Sequence, residues 1–254
     1  MRALLLIACI GCSQIHFTNG LPNDTDNKTL FKYIYKENSW LNKNTRSGNG
    51  SDLTETPIIR LQIPQLIEKY GIKTMLDAGC GEFFWQKELD LSSLELYMGI
   101  DIVPEIIEHN SKRYQTDRCT FALLDIVSQP IPTVDMILCR DVFQHLSDTD
   151  IQQAINAMKK SGSKYLLTST FVNKNQNEDP TKHPRPLVAR VTGRGRNLQL
   201  APFNFPKPID IIEEGFENKT LGLWKIEDLP TYQIASPNQD RPNPQAPHLA
   251  LLEE

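Results

Sequence analysis

Between Lys73 and Phe171 the chain repeats one pattern: a short apolar run, a polar or amphipathic stretch, then another apolar run. The runs are KTMLDAG, LYMGIDI, CTFALLD, VDMILCRD and KYLLTSTF. Their apolar residues sit at successive rather than alternate positions, so both faces of each strand must be buried. Between them, PEIIEHNSKRYQ, with Pro104 near its first turn, and DTDIQQAINAMKKSG have helical spacing, and EFFWQKELDL reads as the start of a helix. Parallel strands need long crossovers, usually helices. The alternation therefore predicts an α/β fold: a mostly parallel sheet with helices on both faces.

The flanks read differently. MRALLLIACI has one basic residue and then eight apolar ones, Ala3 to Ile10. That run is too short to span a bilayer and has the outline of a secretory signal, so residues 1–20 are expected to be one. The chain would then be secreted or exported, and otherwise cytoplasmic. Residues 21–45 read as a lead-in with a short helix in TLFKYIYKENSWLN, followed by the loop TRSGNGSDLTETP. Ile58, Ile59, Leu61, Ile63, Leu66 and Ile67 form a helical stripe interrupted at Pro64. Residues 172–208 read as a loop or lid, with six prolines from 173 on. PIDIIEEGFENKTLGLWKI supplies two last short strands, and residues 231–254 are a Pro-rich mobile tail. The main domain is thus residues 46–230.

Net charge is −4, and no long basic block is present, so nucleic acid is a poor partner. The richest basic stretch, ARVTGRGRN with Arg190, Arg194 and Arg196, reads as a solvated loop. Cys9 and Cys12 form a C-x-x-C inside the signal-like segment; Cys119 and Cys139 read as small strand hydrophobes, and no metal-ligand spacing appears. The sequons at Asn23, Asn27, Asn49 and Asn218 matter only on a eukaryotic secretory route.

Open parallel sheets bind ligands beyond the carboxyl ends of their strands. Asp77, Gly79 and Gly81 lie there after the first strand, Asp101 after the second, Asp125 after the third, and Arg140, Asp141 and His145 after the fourth. Any one such Asp reads more readily as a turn or helix-capping residue, but three after successive strands, with a Gly-x-Gly turn, point to a nucleoside. Asp101, twenty residues past Gly81, is placed to accept ribose hydroxyls. A dinucleotide fingerprint would put a third glycine at residue 84, which is Phe84, and no phosphate-loop lysine follows.

LDAGCGEF closely resembles the first motif of class I S-adenosylmethionine-dependent methyltransferases, YMGIDIVPEII their second, and VDMILCRDVFQHLSD their fourth-strand motif. A narrower similarity, carried by RSGNGS, APFNFPKP and EGFENKTLGLWKIEDLP as well, is to a small, mostly bacterial group of undefined substrate. Many class I motifs have a further glycine where this chain has Phe83. The resemblance implies a Rossmann-like sheet of about seven strands and S-adenosylmethionine as cofactor. Asp77, Gly79 and Gly81 would line its methionyl and ribose side. Asp101 with Ile102 would hold the ribose, Asp125 with Ile126 the adenine region, and Arg140 would meet the cofactor after strand four. In RSGNGS, Arg46 and Gly48 would bind the methionyl carboxylate, or the loop is merely flexible.

Methyl transfer from a sulfonium is an in-line displacement, helped by alignment and, for an oxygen or nitrogen acceptor, by a base. His145 is the first candidate base and Asp141 the second. His145 is equally readable as a helix-capping or core-edge histidine. Asn204 either orients a substrate or makes a turn. Phe83 and Trp85 either pack on the sheet or wall the substrate side. The acceptor is expected to be a small molecule or sugar, methylated on oxygen. Two alternatives remain: an NAD-dependent oxidoreductase, and a non-catalytic exported binding protein that keeps the fold.

Overall fold

The computed structural model describes residues 21–215 and 219–234. The signal-like segment, the sequon at Asn218 and the tail from residue 235 onward lie outside the described residues. Seven strands form one sheet: β1 (Thr74–Ala78), β2 (Leu96–Asp101), β3 (Cys119–Leu123), β4 (Met136–Cys139), β5 (Tyr165–Thr170), β6 (Asp210–Glu213) and β7 (Thr220–Lys225). Their order is β3-β2-β1-β4-β5-β7-β6. Strands β1 to β5 are parallel, and β7 lies antiparallel between β5 and β6. A dinucleotide fold would instead run 3-2-1-4-5-6 without this reversed strand.

Among the described residues the five α-helices are α1 (Asn27–Glu37), α2 (Pro57–Lys69), α3 (Pro104–Tyr114), α4 (Asp148–Lys160) and α5 (Pro186–Thr192). Successive strand residues serve opposite cores. In β4, Met136 and Leu138 join the cluster containing α2's Ile59, Ile63, Leu66 and Ile67, while Ile137 and Cys139 join the cluster containing α4's Ile151, Ala154, Ile155 and Met158. Each such fully buried aliphatic side chain contributes about 1.5–3 kcal/mol. This two-sided burial is why the strands read as continuous apolar runs. Asp26 caps α1 and Ser147 caps α4, each side chain accepting a first-turn N–H. Pro64 does not interrupt α2, which continues through it. Leu61 leaves the stripe and is exposed.

No α-helix joins β1 to β2. The stretch read as a helix start contains a single 3-10 turn, Gln86–Glu88. The reason is local. Gly81 and Phe83 both have left-handed backbone, with φ of 53° and 55°, which an α-helix excludes. Phe83, Trp85, Leu89 and Leu94 nonetheless cover the sheet face that a helix would cover.

The 172–208 segment is also more ordered than a plain loop. It contains α5, whose Leu187 and Val191 pack on Leu30 and Ile34 of α1. Two arginines of the stretch read as solvated are buried, while Arg194 stays partly exposed. Arg190 is buried and donates to the Thr25 carbonyl and to Asn27, while Arg196 is buried against the carbonyls of Glu178 and Leu146. Both therefore tie chain segments together. Asn204 is exposed in a turn, its N–H bonded to the Leu200 carbonyl.

Candidate active site

The carboxyl ends of β1 to β4 meet at one edge of the sheet, because Asp77 is in register with Gly99 and Leu138, and Asp101 with Leu123. A cavity of about 420 Å³ opens there. That volume falls in the range of roughly 300–1,000 Å³ usual for small-molecule sites. Its wall includes Asp77, Gly79 and Gly81 after β1, Asp101 and Ile102 after β2, and Asp125 and Ile126 after β3. Arg140, Asp141 and His145 enter it after β4, and Arg46 and Gly48 from the loop before α2. Asn204 and Phe83 do not line it.

The two glycines are needed for a reason the sequence did not reveal. Both have positive φ, and a Cβ on Gly79 would strike a methyl of Val142, while one on Gly81 would strike the Ser47 hydroxyl. The turn is thus tight because two other loops pack into it. Asp77 is buried, and its Oδ2 accepts from Gln86 Nε2 at 2.8 Å and from the Tyr97 hydroxyl at 2.7 Å. Burial pushes its carboxyl up to about 6 against those two hydrogen bonds.

Asp101 accepts the Gly81 N–H on Oδ2 and the Val103 N–H on Oδ1, which aims the carboxylate at the end of β2. Burial raises it to about 6, and these backbone bonds oppose the rise. Each oxygen keeps further acceptor capacity, as ribose binding requires. Asp125 is turned toward its own loop, accepting from the Val127 N–H and the Ser128 hydroxyl. Beside it, Ile102, Ile126 and Val127 give this part of the wall an apolar surface.

Arg140 is not extended toward a ligand. Its Nε and Nη2 both donate to Oε2 of Glu214, at 3.0 and 2.6 Å, its Nη1 donates to the Gly50 carbonyl, and its guanidinium lies 5.4 Å over Trp85. Asp141, with φ of 59°, pairs with Lys219 at 2.8 Å and with Arg140 at 3.2 Å. Burial alone would raise its carboxyl, but the two cations outweigh this and hold it at about 2. Both cations reach the same oxygen, Oδ2, of Asp141. Arg46 likewise spends Nη1 on the carbonyls of Tyr35 and Lys36 at the end of α1.

His145 is buried between rings, 5.4 Å from Trp40 and 6.0 Å edge-on from Phe31. Its Nδ1 lies 2.6 Å from the Arg190 carbonyl, an acceptor only, so Nδ1 carries the proton. Nε2 then holds a lone pair, 3.3 Å from the Gln144 amide. Burial pushes the imidazole below its ordinary range and keeps it neutral.

Several participants escaped sequence reading. Gln86 sits in the stretch read as helix, and its approach to Asp77 follows from the tight turn instead. Glu214 and Lys219 lie more than seventy residues from Arg140 and Asp141. Only the antiparallel return of β7 next to β5 brings them there.

Residues 75–162, from β1 to the end of α4, match a family model described as a methyltransferase domain. Over those residues the chain carries a class I S-adenosylmethionine-dependent methyltransferase domain. The strand order of this methyltransferase domain is that of the class. Human N-acetylserotonin methyltransferase, solved with S-adenosylmethionine, is 15% identical over 83% of this chain and 61% of that one, with a TM-score of 0.55. The N-methyltransferase NodS of Bradyrhizobium japonicum WM9, solved with S-adenosyl-L-homocysteine, is 15% identical over 76% of this chain and 97% of that one, with a TM-score of 0.53. At such identities the likeness establishes the fold. The chain spans 66% of the methyltransferase domain of bacterial CtHen1-CN, at 17% identity, 46% coverage of this chain and a TM-score of 0.41. No curated protein matches the chain. Among the described residues no helix is long and apolar enough to cross a membrane.

Proposed function

We propose that this chain transfers a methyl group from S-adenosylmethionine to an oxygen of a small-molecule acceptor. One observation carries the reading: the glycine turn, Asp77 and Asp101 converge with His145 on a single cavity. The residues suit the cofactor. Asp77 and Asp101 are carboxylates without a lysine or arginine hydrogen-bonded to them, which suits a cationic ligand bearing ribose hydroxyls. When bound, the cofactor supplies an electrophilic methyl group on a sulfonium.

This chain's own residues do the rest. Asp101 holds the ribose, Ile102 and Ile126 flank the adenine, and Asp77, set by Gln86 and Tyr97, faces the methionyl end. Neutral His145 accepts the acceptor's proton on Nε2, the Arg190 carbonyl fixing its tautomer. Phe31, Trp40 and Phe171 supply an apolar wall beside it that excludes water. The arginines and lysine near the site are engaged internally, at Glu214, Asp141 and backbone carbonyls, so an uncharged small acceptor suits it better than nucleic acid.

Calorimetry with S-adenosylhomocysteine tests the cofactor half. Transfer of a labelled methyl group from S-adenosylmethionine into panels of phenolic and sugar hydroxyls tests the acceptor half. Labelling confined to amines would overturn the oxygen assignment.

A further inference from the structure

The glycine turn carries one carboxylate that the cofactor does not need. Glu82 follows Gly81 directly, yet its partners lie far back in the chain. Its Oε2 accepts from the Thr45 hydroxyl at 2.9 Å and the Arg46 N–H at 2.8 Å, and its Oε1 accepts from the Tyr35 hydroxyl at 3.2 Å. Its own N–H donates to Ser47 Oγ at 2.9 Å. One residue thus bonds to four positions of the segment between the end of α1 and the loop before α2.

That segment is braced internally as well. Arg46 closes the carbonyl end of α1, and the Ser47 N–H donates to Thr45 Oγ1. Tyr35, Ser47 and Gly48 line the cavity beside the glycine turn. Further along the same segment, Trp40 donates to the Val191 carbonyl and lies against His145. The segment therefore runs as a strap from the cofactor turn to the acceptor wall.

We propose that Glu82 is a positioning residue that clamps this strap, residues 38–51, onto the glycine turn and so completes the cavity wall over the cofactor. The proposal rests on the methyltransferase reading. A carboxylate suits the task because the N–H of Arg46 and the hydroxyls of Thr45 and Tyr35 need acceptors on both oxygens. An amide can serve Thr45 and Arg46 with its oxygen and turn its NH₂ to the Tyr35 hydroxyl, whereas alanine serves none.

The test uses the full chain and two readouts: calorimetry with S-adenosylhomocysteine, and trypsin cleavage after Lys43 and Arg46, both exposed in the strap. Glu82→Ala is expected to weaken binding by roughly tenfold or more, the equivalent of one charge-assisted hydrogen bond. It should also speed strap cleavage, which S-adenosylhomocysteine slows in the wild type. Glu82→Gln should fall between the two. If Glu82→Ala does not fold, Thr45→Val, which removes one donor to Glu82 and the acceptor of the Ser47 N–H, should weaken binding severalfold. A folded Glu82→Ala variant with wild-type affinity and wild-type cleavage overturns the proposal, as does Thr45→Val with no effect in either readout. A wild-type chain that fails to bind at all overturns the methyltransferase reading instead.

Discussion

At the residue scale, Asp101 carries the sharpest consequences. Burial raises its carboxyl to about 6, so it is ionised at neutral pH and protonated in mild acid. A protonated carboxyl is the weaker acceptor for ribose hydroxyls. Affinity for S-adenosylhomocysteine is therefore expected to fall as pH drops through about 6, and Asp101→Asn should flatten that fall. Calorimetry between mildly acidic and neutral pH checks both. The stability of the ligand-free chain runs the other way. Asp77 and Asp101 both titrate higher in the folded chain than the usual carboxylate value, so each favours folding most where it is protonated, and that contribution is lost as pH rises through about 6. Phe83 offers a second residue-scale test. It occupies a left-handed backbone position where many class I motifs have glycine, while its ring packs 5.1–5.3 Å from Tyr97, Tyr114 and Phe121. Phe83→Gly relieves about 1 kcal/mol of backbone strain but empties a site whose aromatic truncation costs about 3–5 kcal/mol. Net destabilisation of a few kcal/mol is expected in denaturant unfolding; a stabilised variant would contradict the packing argument.

At the element scale, the β6–β7 hairpin matters beyond closing the sheet. It delivers Glu214 and Lys219 to Arg140 and Asp141, a buried group of two cations and two carboxylates. Removing one member strands the others. Glu214→Gln is expected to destabilise the fold by about 3–5 kcal/mol, read from a shift in unfolding midpoint, whereas a change below about 1 kcal/mol would show that the group is not mutually dependent. The elements also show what the sequence could express. The central strands β1, β4, β5 and β7 were legible because burial on both faces leaves a continuous apolar run, whereas the edge strands β3 and β6 are only partly buried. The helix expected at EFFWQKELDL was not, because the left-handed backbone at Phe83 has no signature in a residue usually free to be helical. The ends of β1 to β4 announced Asp77, Asp101 and His145. They did not announce that Arg140 and Asp141 are paired with Glu214 and Lys219 from a hairpin seventy residues away, since that depends on topology rather than on local pattern.

At the scale of the whole molecule, the sheet supplies the floor of the cavity, and α1, α5 and the strap between α1 and α2 supply its roof. The floor belongs to residues 75–162, which match the methyltransferase family model, and much of the roof lies outside that match. Acceptor choice is thus expected to reside in the flanking segments. Trp40→Ala should reduce methyl transfer to whichever hydroxyl acceptor is labelled while leaving S-adenosylhomocysteine affinity within about threefold, a split between acceptor and cofactor terms. The central claim, that this cavity binds S-adenosylmethionine through the ends of β1 and β2, is tested most directly by calorimetry of the full chain with S-adenosylhomocysteine and with NAD, for wild type and Asp101→Ala. The account predicts binding of S-adenosylhomocysteine only, weakened at least about tenfold by the substitution. No binding of S-adenosylhomocysteine, or binding that Asp101→Ala leaves unchanged, would contradict it.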